Sequence, residues 1–270
     1  MWLEEIRQRL SDTAINDMEV CMMILSKMKR LMAYTSKSRY IRYLRGMGMV
    51  IGEYTEFISP IHSEVDLGRA KYISIGDHCM LGSGIRLIAH DYSWKVLEDA
   101  YGEELPSGGM PIHIGNNVFV EANCTILGGV SIGNNVIIAA GSMVCKSLPD
   151  NTVCAGTPAK VIKSLDAYYQ KRKETYVTDA KKNAQYIWSH TGKLPVMEEM
   201  INFAVLFMPR TDENIQKYIL RRHRVGGNAK RYAEILQDTE QLYPDYQAFL
   251  MDALGEDVVK REMKKDFPEE

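Results

Sequence analysis

The sequence has almost no charge imbalance, no long apolar run and few cysteines. Its 33 Lys and Arg against 35 Asp and Glu give a net charge of -2 and an isoelectric point near 6.3. It therefore lacks the basic excess that non-specific nucleic-acid binding requires. No run of about 18 uninterrupted apolar residues is present, which argues against a transmembrane helix. Glu4 and Glu5 stand where a secretory signal places bases, so we expect a cytoplasmic protein.

The five cysteines are too few and too irregularly spaced to predict a disulfide framework or a cysteine zinc site. Cys79 and Cys124 occupy positions where the repeat described next requires a small inward-facing residue, which favours buried hydrophobic roles. A nucleophilic Cys145 or Cys154 is an alternative that we do not favour. We expect that the protein requires no metal ion for its function.

A period of six residues dominates the segment from 114 to 149. Aliphatic residues recur at every sixth position, at Ile114, Val120, Ile126, Ile132, Ile138 and Val144, and the same spacing occurs earlier at Ile75, Leu81 and Leu87. The fifth place of each unit is mostly small or β-branched, and its residues are Val118, Cys124, Val130, Val136, Ser142 and Leu148. A period of six fits neither a helix nor a plain strand. It is typical of a parallel β-helix built from hexapeptides.

Three hexapeptides form one triangular coil, and stacked coils are expected to lie about 4.8 Å apart. The sequence predicts coils over residues 75–87, 114–126 and 132–144, after less regular turns that begin near residue 50. Gly115, Gly133 and the asparagine pairs that follow them suit corners where the backbone φ becomes positive.

A long insertion, residues 88–113, interrupts the period between Leu87 and Ile114. Long loops on regular scaffolds are functional or disordered, and the His, Tyr and Trp in this one favour a function. His90 stands at the fourth place of its hexapeptide, directed away from the interior because Leu87 fills the core position. Its imidazole is suited to take a proton from a hydroxyl, and Asp91 is a candidate to orient the ring. We interpret the other histidines as structural or surface residues: His62, His78, His113, His190 and His223.

Helical patterns flank the coil and divide the chain into three predicted parts. Residues 1–46 are predicted to be helical, with a stripe interpreted as core or partner packing: Met18, Cys21, Met22, Leu25, Met28, Leu31 and Met32. Residues 47–163 form the coil with its insertion. Residues 164–270 return to helices, with breaks at Gly192 and Pro244, and we interpret them as a cap over the exposed strand edges.

Together these segments resemble the hexapeptide-repeat acyltransferases, in particular the galactoside, maltose and polysaccharide O-acetyltransferases. The resemblance rests on the hexapeptides and on three segments: His-Asp-Tyr-Ser-Trp at 90–94, Pro-Ile-His-Ile-Gly-Asn-Asn-Val-Phe at 111–119, and Ala-Gly-Thr-Pro-Ala-Lys-Val-Ile at 155–162. It covers about residues 46–170. It implies a left-handed parallel β-helix, an exception to the usual right-handed crossover, and a homotrimer. It also implies acetyl-CoA in clefts between neighbouring coils and catalysis by the histidine of the insertion.

The resemblance assigns coenzyme contacts to eight positions: Phe119, Ala122, Ala140, Gly141, Ser142, Lys146, Lys160 and Lys163. Several of these depart from the family pattern. Phe119 replaces a frequent Trp, and Cys145 replaces the Thr before Lys146. Glu121 stands where the family usually has Gly. Lys160 and Lys163 replace residues that are commonly Arg, so they would meet the CoA phosphates as point charges rather than as bidentate forks.

The implied reaction is direct acetyl transfer to a hydroxyl of a sugar or surface-polysaccharide precursor. His90 would be the general base, and backbone N–H groups of a coil turn would stabilise the oxyanion. Tyr92 and Trp94 are candidates to stack on the acceptor, and Asp66 and Asp91 are candidates to bind its hydroxyls. All four also fit ordinary loop or turn packing.

Four alternatives remain at this point. The coil is a non-catalytic scaffold that binds a partner, the acceptor is the amine of an amino sugar, the acceptor is serine, or the protein is a zinc lyase. The serine alternative is weakened because the N-terminal helical segment is much shorter than that of the serine acetyltransferases. A zinc lyase needs three imidazoles around one metal. The close histidine pair that such a site requires is absent from this sequence.

Overall fold

The computed structural model describes residues 28, 30–106, 108–222 and 229–266 of the chain. The chain forms two compact units that divide between Ile162 and Lys163.

Short strands of two to five residues wind through residues 50–164. In chain order they are β1 (Val50–Ile51), β2 (Glu56–Phe57), β3 (Glu64–Val65), β4 (Ile73–Ile75), β5 (Met80–Leu81), β6 (Arg86–Ile88), β7 (Ile112–Ile114), β8 (Phe119–Val120), β9 (Thr125–Leu127), β10 (Val130–Ile132), β11 (Ile137–Ile138), β12 (Met143–Val144), β13 (Thr152–Ala155) and β14 (Lys160–Ser164). They form three sheets, in the orders β1-β4-β7-β10, β2-β5-β8-β11-β13-β14 and β3-β6-β9-β12. From β1 to β13, neighbouring strands pair in parallel. The chain thus returns to the same sheet after every third strand through β12, as expected for a three-sided coil.

The register of the strands is the one that the period predicts. Ile114 lies opposite Ile132, and Ile126 lies opposite Val144. The nine aliphatic residues of the period and the fifth-place residues from Val118 to Leu148 are all buried. Burying one such aliphatic side chain contributes about 1.5–3 kcal/mol. The predicted coil of parallel strands is therefore confirmed, and it contains one additional coil, β1-β2-β3, in the segment where the sequence is irregular.

The corners differ from the sequence-based expectation at the glycines. Asn117 and Asn135 have positive φ angles of 54° and 56°. Gly115 and Gly133 do not have positive φ. A methyl group built on Gly115 would lie 2.7 Å from the carbonyl oxygen of Gly133 in the next coil. Glycine is needed at this corner because two backbones approach closely.

The helices are α1 (Lys37–Gly46), α2 (Trp94–Tyr101), α3 (Leu165–Thr191), α4 (Asp212–Arg222), α5 (Ala229–Asp238), α6 (Tyr246–Leu254) and α7 (Glu256–Asp266), and short 3-10 segments lie at Pro60–His62, Leu67–Tyr72 and Ile201–Leu206. In the described ranges, no helix has the length and apolar character needed to cross a bilayer.

The described part of residues 1–46 differs from the helical segment that the sequence predicts. Residues 1–27, which hold four members of the predicted stripe, lie outside the described residues. The helical turn that ends at residue 33 is separate from α1, which starts after Ser36, whose side chain accepts the backbone N–H of Arg39. Leu31 and Met32 are 72% and 56% exposed, so they are not core residues of this chain.

The second unit has a hydrophobic core of its own, contributed chiefly by α3, the 3-10 segment Ile201–Leu206, α6 and α7. Helix α3 begins after Ser164, whose side chain accepts the N–H of Ala167, and it ends at Gly192, where φ is 65°. The predicted break at Pro244 precedes α6. The role of this unit as a cap stays a prediction.

Candidate active site

His90 lies at the corner that follows β6, where the insertion leaves the coil. The preceding residue, Ala89, is fully buried, whereas the His90 side chain is 31% exposed. Gly128 of the next coil donates its N–H to the carbonyl of Ile88 over 2.8 Å, which anchors the backbone just before the histidine. His90 therefore sits on a rigid scaffold with its ring at the surface.

The ring of His90 is oriented by Asp66. Its Nδ1 lies 2.5 Å from Oδ2 of Asp66, whose side chain is only 10% exposed. Asp66 comes directly after β3, the strand paired with β6, and its N–H bonds to the carbonyl of Leu87. When Nδ1 carries the proton donated to the carboxylate, Nε2 has a lone pair that can accept a proton from a substrate.

This pairing corrects the expected role of Asp91. The two carboxylate oxygens of Asp91 accept hydrogen bonds from the backbone N–H and the hydroxyl of Ser93, over 2.8 and 2.7 Å. These bonds, the hydroxyl first, lower the pKa of the Asp91 carboxyl. They form a turn just before α2, so part of the expected loop is helical. The hydrogen bond to the ring comes instead from Asp66, for which the sequence suggests only a contact with the acceptor.

The structure places Tyr92 against the ring of His90 and Trp94 at the start of α2. The ring centroid of Tyr92 is 4.6 Å from that of His90, with the two planes tilted by 57°. Tyr92 is 68% exposed, so its outer face is open to a ligand. Trp94 is the first residue of α2 and is half-buried. Of the two aromatic candidates, Tyr92 is the one whose contact with the ring of His90 is observed.

The returning end of the insertion is held close to His90. The N–H of Met110 bonds to the carbonyl of Ala89 over 2.9 Å. A methyl group built on Gly128 would lie 2.8 Å from Cβ of Met110, and one built on Gly129 would lie 2.6 Å from its Cε. The paired glycines thus leave the room that Met110 fills, and both ends of the insertion meet at one corner.

The turn expected to meet the thioester is partly open. Gly141 has a φ of 71°, and a methyl group built on it would meet nothing within 4 Å. Its N–H bonds to the carbonyl of Ala122 over 2.9 Å. The N–H of Ala140 is 3.3 Å from Oε2 of Glu121, so this carboxylate already occupies one of the expected backbone donors.

Ser142 and Phe119 occupy different environments. Ser142 is 1% exposed, its hydroxyl donates to the carbonyl of Ala139, and it accepts the N–H of Gly156. Its side chain is therefore structural, and only its backbone remains a candidate for the coenzyme. Phe119 is half-buried on β8.

The candidate phosphate-binding lysines are accessible. Lys146 follows β12 and is exposed, and β14 carries the exposed Lys160 and the half-buried Lys163. None of the three forms an ion pair with another residue in the described part of the chain.

His90 and the turn expected to meet the thioester lie at two different corners of the coil, whereas Lys146 shares the corner of His90. His90 and Lys146 follow strands of the third sheet, whereas Ala122 and Ala140 follow strands of the second sheet. About five residues of extended chain, roughly 16 Å, separate adjacent corners. One chain therefore does not bring His90 and the Ala140–Ser142 turn together.

Other histidines have local partners. His62 Nδ1 bonds to Ser59, His113 Nδ1 bonds to Ser74 over 2.7 Å, and the ring of His78 stacks on Tyr54. His190 contacts Tyr186 within α3, and His223 lies outside the described residues. Among the described residues, no group of three His, Cys, Asp or Glu side chains is placed to hold a metal ion.

The chain is similar to known proteins along its coil. Residues 111–146 match the bacterial transferase hexapeptide (six repeats) family. Protein CapG of Staphylococcus aureus is 40% identical over 129 residues, which cover 47% of this chain and 73% of that protein. The galactoside O-acetyltransferase of Escherichia coli K12 is 31% identical over 151 residues, which cover 51% and 73%. The crystal structure of a hexapeptide-repeat-containing acetyltransferase from Vibrio cholerae, complexed with acetyl-CoA, aligns at 23% identity and a TM-score of 0.40, over 52% of this chain and 84% of that one.

Proposed function

The chain belongs to the bacterial transferase hexapeptide family of acyltransferases, and we propose that it transfers an acetyl group from acetyl-CoA to a hydroxyl of a sugar or surface-polysaccharide precursor. The observation that carries the proposal is the hydrogen-bonded pair of His90 and Asp66 where the insertion leaves the coil. The named activity of the Escherichia coli relative supports a sugar acceptor. The hand of the coil, left-handed as in the family, belongs to the same proposal.

The proposed chemistry needs one proton shuttle and no covalent enzyme intermediate. Asp66 holds Nδ1 of His90, and Nε2 takes the proton from the acceptor hydroxyl as its oxygen forms a bond to the thioester carbonyl carbon. Backbone N–H groups stabilise the resulting tetrahedral oxyanion. Collapse of this intermediate breaks the carbon–sulfur bond, and the imidazolium returns its proton to the departing CoA thiolate.

The coenzyme would be held by backbone at the Ala140–Ser142 turn and by lysines at its phosphates. The open space around Gly141 and the exposed Lys146 and Lys160 support this assignment. Phe119, Ala122 and Lys163 complete the proposed contacts. The position of Glu121 argues against one part of this assignment. Its carboxylate would have to release the N–H of Ala140 before that N–H could bind the substrate.

Two copies of the chain would complete the site. His90 and Ala140 lie at different corners, so we propose that neighbouring copies in a homotrimer face each other with these two corners. Both substrates would then share one cleft, and their proximity would supply much of the rate enhancement. On the acceptor side, Tyr92 would stack on the sugar ring. Trp94, Asp91 and the second carboxylate oxygen of Asp66 stay candidates for further contacts.

The proposal is tested by His90→Ala with a panel of simple glycosides and amino sugars. Release of the free thiol of CoA reports transfer to either a hydroxyl or an amine. We expect the variant to keep its fold and its acetyl-CoA binding and to lose transfer by about 10²- to 10⁴-fold, because it lacks the general base. His113→Ala is the matched control, since Nδ1 of that imidazole also has a hydrogen-bond partner on the coil, the hydroxyl of Ser74, but His113 lies outside the site. Unchanged transfer in His90→Ala would refute the mechanism.

A further inference from the structure

A cationic residue, Arg69, lies three positions after the residue that orients His90. The 3-10 segment Leu67–Tyr72 begins immediately after Asp66, and the N–H of Arg69 bonds to the carbonyl of Asp66 over 3.1 Å. No pattern in the sequence singles out Arg69. The backbone that carries the carboxylate of the pair therefore also positions this guanidinium.

Arg69 also packs against the returning end of the insertion. A methyl group built on Gly109 would lie 3.1 Å from Cδ of Arg69, 3.4 Å from its Nε and 3.4 Å from Cε2 of Tyr72. Gly109 precedes Met110, whose N–H bonds to the residue directly before His90. Arg69 thus contacts the surroundings of His90 at two points. Its backbone bonds to Asp66, and its side chain packs against the insertion.

The guanidinium is available to a ligand. Arg69 is exposed, and in the described ranges of the chain its side chain has neither an ion pair nor a hydrogen bond. Lys71, two residues further along, is directed elsewhere, because a methyl group built on Gly48 would lie 2.7 Å from its Cγ. Of the two cations in this segment, Arg69 is therefore the one that faces the insertion.

The acidic residues of the insertion limit which anionic ligands the guanidinium of Arg69 can bind. The insertion is acidic, and two of its carboxylates are already engaged, Asp91 with Ser93 and Asp99 with Lys95. Its other acids, Glu98, Glu103 and Glu104, repel anions in general. An anionic group would be retained only where a cation meets it directly, and a guanidinium matches the paired oxygens of carboxylate and phosphate.

We infer that Arg69 determines acceptor specificity by binding an oxyanion, carboxylate or phosphate, on the sugar whose hydroxyl faces His90. This inference rests on the proposed function, since it assumes that the acceptor occupies the corner of His90. A neutral sugar would leave the guanidinium without a partner. The acceptor is then an acidic sugar, such as a hexuronate, or a phosphorylated one.

The test is direct sugar binding to the full-length chain with saturating CoA, so that no turnover occurs. The probes are methyl glucoside, methyl glucuronide and glucose 6-phosphate, titrated by calorimetry or by ligand-observed NMR. We expect at least one of the two charged sugars to bind about tenfold or more tightly than the neutral one. The glucuronide and the phosphate distinguish the two sources of the oxyanion.

Arg69→Ala should abolish this preference and Arg69→Lys should keep part of it, whereas Lys71→Ala, which also removes one positive charge, should leave it unchanged. His90→Ala should retain the preference, because it removes the base and leaves the guanidinium. An equal preference in Arg69→Ala and wild type, or the absence of any preference in wild type, overturns the inference.

If His90-dependent transfer to a neutral sugar is found without an anion preference, the proposed function stands and only the inference fails. If an anion preference depends on Arg69 but the chain transfers no acetyl group, the anion site stands and the proposed function fails.

Discussion

Replacing Asp66 with asparagine should slow acetyl transfer while leaving the coil intact. The carboxylate is nearly buried and lies 2.5 Å from Nδ1 of His90, whose ring becomes positively charged in the proposed reaction. A hydrogen bond to a charged group contributes about 1.5–3 kcal/mol. If this contribution is lost only in the transition state, the rate falls by about 13- to 160-fold. Asparagine keeps the shape of the side chain and removes its charge, so the loss reports electrostatics rather than packing.

The assay is thiol release from acetyl-CoA with an acceptor identified in the glycoside panel. We expect kcat to fall while the KM for acetyl-CoA is unchanged, and we expect Asp66→Glu to retain more activity than Asp66→Asn. Asp77→Asn is the matched control, because Asp77 occupies a corner position that Asn116 and Asn134 occupy in later coils with the same type of backbone hydrogen bond. A rate within twofold of wild type in a folded Asp66→Asn protein would show that the carboxylate does not act through the histidine.

Two further predictions concern the coil. Gly115→Ala should destabilise the first unit by about 1–3 kcal/mol in thermal unfolding, because the new methyl group meets backbone of the next coil, whereas Gly46→Ala, with open space around it, should be nearly neutral. Equal melting temperatures for the two variants would contradict the close approach. Iodoacetamide at pH 8 should modify the exposed Cys145 much faster than Cys79, since burial raises the pKa of the Cys79 thiol and keeps it protonated. Peptide mapping by mass spectrometry checks this difference, and equal labelling of both cysteines in the native protein would refute it.

The coil was predictable because its signal is local and repeated. A residue such as Ile126 is aliphatic because it points inward, and its partners Leu87 and Val144 follow from the same period. The requirement for glycine at position 115 was not predictable from its own strand. It arises because the backbone of the following coil lies close to Gly115, and the only sign of this in the sequence is a second glycine 18 residues later, Gly133.

The site was predictable only in part. The period places His90 outside the core, but the sequence suggests its neighbour Asp91 as the partner. The true contact joins residues 24 positions apart. Extending the register of Val65 against Leu87 by one residue places Asp66 opposite Ile88, two residues before His90, at the corner where the insertion leaves the coil.

The local structure of the insertion and its contacts were the least predictable part of the fold. Helix α2 has only eight residues, too few for a clear helical period, and none of them is buried. Its start depends on the turn in which Asp91 accepts the N–H of Ser93. Arg69 was missed for a similar reason, because its relation to the site arises from its packing against Gly109, far away in sequence.

The most direct test of the central claim is calorimetric titration of the purified protein with acetyl-CoA, which requires no knowledge of the acceptor. We expect micromolar binding with about one site per chain, weakened in a Lys160→Ala/Lys163→Ala variant because the phosphates lose their cationic partners. The absence of binding at millimolar acetyl-CoA would contradict the acyltransferase mechanism and would favour a scaffold that binds a protein partner.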